Sequence, residues 1–313
     1  MAEDGLPRDL RMRLNQALTQ LATIIVGKNE VIALSMACLL ARGHVLLEDL
    51  PGAGKTTLAK AFAATLGLEY RRIQFTSDLL PADVVGFSVL NTQTQQLVFH
   101  QGPVFTQLLL ADEINRASPK SQSALLEAME ERQVTVEHET HRLAEPFFVM
   151  ATQNPLEQIG TYALPESQLD RFLMRLSLGY PAAAREVAIL RGESRSDMIA
   201  AVRPLLSRDD VLALQKAVRA VHVSESIAQY VQKLLAHTRS GAFVHGLSTR
   251  AGLGLIRAAQ AYALLRGESA VLPEHVQAVF VPVAWHRLQG RMQNEAAHEQ
   301  AVRAVLGQVE VPL

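Results

Sequence analysis

The segment Leu46-Leu47-Glu48-Asp49-Leu50-Pro51-Gly52-Ala53-Gly54-Lys55-Thr56-Thr57 constrains this chain most. An apolar stretch leads into a glycine-rich turn, and the turn leads into a helix-forming run that opens on Lys55 and Thr56. Strand, loop and helix in that order are the context in which a loop binds phosphate. Glycine at 52 and 54 lets backbone N–H groups approach phosphate oxygens with no Cβ in the way. The helix beginning near Lys55 adds the partial positive charge of its N-terminus. Lys55 is then placed to reach the β- and γ-phosphates and the Thr56 hydroxyl to hold Mg²⁺. The pattern G-x-x-x-x-G-K-[ST] closes on Gly54-Lys55-Thr56, but Asp49 stands at its first position instead of glycine. The rival reading is a glycine-rich turn that happens to carry a lysine. The flanking strand and helix argue against it.

Around this loop the apolar period changes repeatedly. Residues 8–42 read as two helices broken at Val26-Gly27-Lys28. In the first, Leu10, Leu14, Leu18, Leu21 and Ile25 recur at spacings of three and four, and Gly43 follows the second as its C′ residue. Strands are expected over 44–48, 70–76, 107–112, 147–152 and 172–180. A helix is expected over 56–66, and another from Pro119, capped by Ser118. This alternation predicts an α/β core with a mostly parallel sheet covered on both faces. Residues 85–99 and 133–143 break the rhythm and read as β-hairpin insertions. After Pro181 the texture is helical, over 208–221, 225–237, 248–265 and 273–288. The division is therefore an α/β core over 1–185 and an all-helical domain over 186–313, with no internal repeat.

Composition narrows the classes. At 313 residues the chain has room for two domains, and with 49% hydrophobic but only 5% aromatic residues its cores must be mostly aliphatic. Lys+Arg 30 against Asp+Glu 31 leaves a net charge of −1, which argues against a nucleic-acid or anionic-membrane partner. The lone cysteine, Cys38, rules out an internal disulfide and reads as a small core residue. Its apolar run, 31–41, is too short to span a bilayer. Met1-Ala2-Glu3-Asp4 does not open a charged-then-apolar leader, so the expectation is a soluble cytoplasmic protein.

Two later segments carry chemistry. Leu108-Leu109-Leu110-Ala111-Asp112-Glu113 is an apolar strand ending in two acids. In a parallel sheet, ligands gather at the carboxyl ends of strands, which would put both acids beside the phosphate loop. Asp112 there can hold Mg²⁺ through its water shell, and Glu113 can orient and polarise an attacking water. Phe148-Val149-Met150-Ala151-Thr152-Gln153-Asn154-Pro155 ends similarly, with Asn154 placed to reach the γ-phosphate or that water. His138-Glu139-Thr140-His141 lacks the i, i+4 histidine spacing of a zinc-binding helix and is expected as a solvated hairpin tip. Arg71-Arg72 is an isolated basic pair, not a nucleic-acid patch.

Together these segments resemble an AAA+ ATPase, and closely the MoxR family. The likeness is carried by the phosphate loop and by Gly102-Pro103-Val104-Phe105, Ala111-Asp112-Glu113-Ile114-Asn115-Arg116-Ala117, Ala124-Leu125-Leu126-Glu127-Ala128-Met129-Glu130-Glu131, Ala151-Thr152-Gln153-Asn154-Pro155 and Leu164-Pro165-Glu166-Ser167-Gln168-Leu169-Asp170-Arg171-Phe172. The resemblance implies a P-loop AAA+ core with a central parallel sheet, flanking helices and β-hairpin insertions, plus a C-terminal helical lid. Pro51, Gly52, Ala53, Gly54, Lys55, Thr56 and Thr57 would bind the phosphates of ATP, and Val26 and Gly27 would line the adenine pocket. Thr56 and Asp112 would hold Mg²⁺. Glu113 would be the Walker B glutamate and Asn154 sensor 1. Arg171 resembles the arginine finger that enters a neighbouring subunit's site. Arg250 resembles sensor 2, brought to the phosphates by lid closure. Arg116 is a further interface candidate. An acidic residue at the place of Asp49 is common in the family.

The implied activity is MgATP hydrolysis by a ring-forming homo-oligomer, a hexamer by resemblance, coupled to maturation or activation of a client protein complex. A von Willebrand factor A-domain partner fits, and the hairpins would face a pore or partner. Two rivals stand beside this. A nucleic-acid-handling AAA+ motor conflicts with the near-neutral charge. A nucleotide-sensing scaffold without hydrolysis conflicts with the intact Lys55, Asp112, Glu113 and Asn154.

Overall fold

Strand order decides where the loops of this protein meet. The computed structural model describes residues 6–49, 52–154, 160–180, 195–241, 243–288 and 295–312. Helices α1 (Arg8–Ile24) and α2 (Asn29–Leu40) precede β1 (Val45–Glu48), α3 (Lys55–Leu66), β2 (Tyr70–Gln74) and a short α4 (Pro81–Val85). The hairpin β3 (Gly86–Asn91) and β4 (Gln96–Gln101) leads to β5 (Leu108–Asp112) and α5 (Pro119–Glu131). A second hairpin, β6 (Gln133–Val136) and β7 (Glu139–Arg142), precedes β8 (Phe148–Gln153), α6 (Glu166–Leu169) and β9 (Met174–Leu176). The five long-range strands pair in parallel in the order β2-β5-β8-β1-β9. The carboxyl ends of β5, β8 and β1 therefore lie side by side.

Both sheet faces are buried, as the apolar strand runs require. Val45, Leu47, Leu108, Leu110, Phe148 and Met150 point to one core, while Leu46, Leu109, Ala111, Val149 and Ala151 point to the other, against α5. The period of two along each strand sorts them. The first core also takes in α1–α3 and continues into the C-terminal helices. Cys38 is fully buried there, and burial pushes its thiol pKa up, as an inert core thiol requires.

The C-terminal part is helical: α7 (Arg195–Ala200), α8 (Arg208–Val218), α9 (Glu225–Thr238), α10 (Thr249–Arg266), α11 (Pro273–Ala284) and α12 (Glu295–Gln308). Ser207, Ser224 and Ser248 accept N–H groups at the starts of α8, α9 and α10, as Ser118 does for α5. Each such cap is worth about 1 kcal/mol. The boundary expected at 185/186 lies outside the described residues. The N-terminal helices bind the helical domain directly. Arg13 reaches the Asp210 carboxylate at 2.5 and 2.9 Å, and Arg11 donates to the Leu264 carbonyl at 2.6 Å. Arg287, just after α11, donates to the carbonyls of Asp170 and Phe172 at 3.0 and 2.7 Å and so staples helices to core.

Four expectations change. Helix α12 was not foreseen: its buried residues Val302 and Val305 sit among alanines, too thin an apolar stripe to stand out. The fifth strand covers Met174–Leu176 and not 172–180. At the end of α2 the left-handed residue is Arg42 (φ 59°), one before the expected Gly43. His141 is not a solvated tip. Its ring stacks on Phe99 at 4.1 Å between centroids, joining the two hairpins. Among the described residues no group of three or more His, Cys, Asp or Glu could hold a metal ion. No described helix is long and apolar enough to cross a membrane.

Candidate nucleotide site

The departure from the phosphate-loop pattern has a structural use. The Asp49 carboxylate leaves β1 buried and accepts the N–H groups of Leu178 at 2.6 Å and Gly179 at 2.9 Å, with the Ser177 hydroxyl at 2.7 Å. A glycine at 49 could not tie the loop to the segment that follows β9. The Asp49 carbonyl also accepts Lys55 Nζ at 2.6 Å. Gly52 and Gly54 hold φ of +83° and +95°, in the left-handed region where a side chain is strained. Among the described residues nothing lies within 4 Å of where a Gly52 Cβ would stand. Lys55 starts α3, half-buried. Burial lowers its pKa, while Asp49, Asp112, Glu113 and Glu48 pull the other way. Ala53, Thr56 and Thr57 are partly buried around it. Pro51 lies outside the described residues.

Beside this loop stand the acids. Asp112 ends β5, buried, and accepts the Thr152 hydroxyl at 2.6 Å on one oxygen and Arg72 at 2.7 and 3.1 Å on the other. A carboxylate offers about four acceptor sites, so about one remains for a water of a metal's hydration shell. Glu113 takes the left-handed conformation (φ 55°) and turns its carboxylate to Gln74 at 2.6 Å and Arg116 at 2.9 Å. Such a backbone in a non-glycine residue persists only where its surroundings hold it. Here the Glu113 N–H donates to the Thr152 hydroxyl at 2.8 Å. Asn154 follows β8, buried, between the β5 and β1 ends. A phosphate cradle, a cation, a metal-competent aspartate and a held glutamate thus share one edge. These residues fit MgATP.

Val26 and Gly27 form the turn between α1 and α2. Lys28, next to them, donates to the Tyr180 carbonyl at 2.8 Å, close to where Asp49 grips Gly179. That contact brings the turn beside the entry to the phosphate loop, where a base lining would lie.

Arg171 and Arg250 meet elsewhere. Both bind the Glu130 carboxylate, each at 3.0 Å on its own oxygen, and Arg250 also lies 3.7 Å from Asp170. Glu130 closes α5, which runs back from the carboxyl edge. The preceding Met129 carbonyl contacts His44, at the start of β1, at 3.3 Å. The two arginines are therefore at the amino edge of the sheet. β1, four residues or about 13 Å long, runs from that edge to the phosphate loop. Here Arg250 stands beside Arg171 and not at the phosphate loop of its own chain: the contacts with Glu130 that place Arg171 also place Arg250.

Comparison with known proteins gives the family. A family model described as the ATPase family associated with various cellular activities (AAA) matches residues 44–174, and an AAA lid domain model matches residues 236–306. Uncharacterized protein YeaC of Bacillus subtilis is 45% identical, with 97% of each chain covered. Chaperone MoxR1 of Mycobacterium tuberculosis is 38% identical, over 96% of this chain and 82% of that one. The chain belongs to the MoxR family of AAA+ ATPases. A solved structure from Cytophaga hutchinsonii, described as a candidate ATPase, overlays this MoxR-family fold with a TM-score of 0.88 at 36% identity, covering 97% of this chain and 96% of that one.

Several residues of this MoxR-family site had no role there assigned from the sequence. The role of Thr152 was not visible, because its target appears only once β8 is known to pair with β5. Gln74 and Arg72 reach the acids because Gln74 lies in register with Asp112. Glu130 and Arg287 have no local pattern that marks them.

Proposed function

We propose that this chain binds MgATP and hydrolyses it as a ring-forming homo-oligomer, most simply a hexamer, in which each site is completed by the neighbouring subunit. The observation that carries the reading is the division of labour across the sheet. The phosphate loop, Asp112, Glu113 and Asn154 occupy one edge, and Arg171 and Arg250 occupy the other. Lys55 and the loop amides would hold phosphate. Thr56 and Asp112 would hold Mg²⁺, which would neutralise charge on the β- and γ-phosphates. Glu113 would orient water and Asn154 the γ-phosphate, while Arg171 and Arg250 of one subunit would stabilise charge in the next. An arginine so placed is worth about 10³–10⁵ in rate.

The work delivered is a conformational change in a client protein complex, a chaperone-like role consistent with the name of the mycobacterial relative. A von Willebrand factor A-domain protein is the partner class the family points to. The β3–β4 hairpin suits a protein contact, since Phe87, Leu90 and Leu97 are about half exposed or more (49%, 50% and 60%). The cytoplasm, with its ATP, is the compartment we assign.

Phosphate release and nucleotide binding test the chemistry. Lys55→Ala should abolish binding, and Glu113→Gln should keep binding and stop turnover. Equal loss of binding in both contradicts the assigned roles. The nucleic-acid rival predicts salt-dependent DNA binding, which this reading does not.

A further inference from the structure

A second charged concavity lies away from the nucleotide edge. A cleft of about 600 Å³ opens between the core and the helical domain, lined by Arg42, Arg132, Arg219 and Arg257, with Gln215 and Gln260. Arg42 precedes β1 and Arg132 follows α5, so both stand at the amino edge of the sheet. Arg219 follows α8, and Arg257 is on α10. Among the described residues no carboxylate lines the cleft. Glu145, at its margin, binds Arg42 at 2.6 Å, and no described carboxylate forms an ion pair with Arg132, Arg219 or Arg257.

Four guanidinium groups facing one space repel each other, and the backbone makes the arrangement costlier. Arg42 and Arg132 both hold the left-handed conformation, with φ of 59° and 54°. These are helix-end positions where glycine is favoured, and an L-residue there is strained. Arg132 is further fixed by donating to the Arg42 carbonyl at 2.8 Å. Its pKa is lowered by burial and by Arg42, Arg219 and Arg257, with Glu145 acting against them. Strained backbone at two arginines that converge on one cleft points to use, not to packing.

We propose that this cleft binds a small polyphosphorylated anion, a compound carrying two or more linked phosphate groups, between the core and the helical domain. The guanidinium fork matches phosphate oxygens two at a time. The volume is that of a small-molecule site, roughly 300–1,000 Å³, and a concave cleft suits a compact anion better than an extended acidic segment. With Arg42 partly neutralised by Glu145, about three charges remain to be met, which a di- or triphosphate supplies. The bound anion would bridge α10 to the end of α5, the two elements that carry Arg250 and Glu130.

The test uses the full chain with Lys55→Ala, so that the nucleotide site does not contribute, and inorganic tripolyphosphate as the probe in calorimetry. Saturable one-to-one binding is expected, weakened at least about tenfold by Arg219→Gln with Arg257→Gln, both on exposed positions. Arg42→Gly separates binding from folding: glycine suits the left-handed position, so the melting temperature should hold or rise while affinity falls by a similar factor. Orthophosphate and a glutamate octapeptide should bind more weakly. No saturable binding, unchanged affinity in these variants, or a peptide that binds more tightly than tripolyphosphate overturns the site, the last in favour of an acidic protein segment.

Discussion

The Thr152 hydroxyl donates to the Asp112 carboxylate at 2.6 Å, and the same oxygen accepts the Glu113 N–H at 2.8 Å. One side chain of β8 thus fixes both acids of the neighbouring strand. Thr152→Val keeps the shape and removes both bonds. It leaves a buried N–H unpaired, which costs about 1–3 kcal/mol, and releases Glu113 from its left-handed backbone. Turnover should fall at least about tenfold while nucleotide affinity changes little, since Lys55 and the loop are untouched. Steady-state phosphate release with a binding titration decides it. Unchanged turnover would show that Glu113 is held without Thr152.

Asp49→Gly restores the usual glycine of a phosphate loop and should nonetheless harm this protein. The change strands the N–H groups of Leu178 and Gly179, which now bond a carboxylate at 2.6 and 2.9 Å. A loss of roughly 2–4 kcal/mol is expected in urea unfolding. A variant as stable as the parent would mean that water satisfies those groups equally well.

Acid should unfold the protein through buried histidines. His44 Nδ1 accepts the Val149 N–H at 3.0 Å, which leaves Nε2 to donate to Met129 and allows only the neutral ring. Burial, with Arg132 nearby, holds its pKa at about 3. Burial likewise holds His286 well below the ordinary value. Between about pH 6.5 and 3 the unfolded chain binds more protons at His44, so stability is full above that window and falls as pH drops through it. The slope from His44 is about 1.4 kcal/mol per pH unit. Urea unfolding at stepped pH should show His44→Gln losing about one proton of that slope. An unchanged slope would place the acid sensitivity elsewhere.

The motifs were legible because each is local. Gly54-Lys55-Thr56 and Asp112-Glu113 sit at the ends of apolar strands, and the parallel sheet follows from strand–helix alternation. What was not legible depends on pairing at a distance. The Asp49 grip on residues 177–179, the Thr152 bridge and the sharing of Glu130 by Arg171 and Arg250 need the strand order before they mean anything. Arg250 shows the hazard of reading a role without a place, since its first-turn position in α10 is visible in the sequence but the edge it faces is not. Arg42 shows another: the rule that glycine ends a helix pointed to Gly43, and tertiary structure put the left-handed residue one earlier.

Because Glu130 holds both arginines at the amino edge, Arg171→Ala and Arg250→Ala should behave alike. Each should cost turnover with little loss of nucleotide affinity, and each should be complemented by subunits that keep the arginine. If Arg250→Ala instead weakens nucleotide binding by dilute monomer, it acts on its own site and the geometric placement does not persist with nucleotide.

Mixed rings test the shared-site account most directly. Arg171→Ala subunits and Glu113→Gln subunits should each be nearly inactive alone. Mixed in equal amounts, about a quarter of the head-to-tail interfaces would pair an intact Glu113 with an intact Arg171, and phosphate release should recover to a comparable fraction. Turnover per subunit of the unaltered protein should also rise with concentration as rings form. Full activity in dilute, demonstrably monomeric protein, or no recovery in subunits shown to co-assemble, would contradict a site completed across subunits.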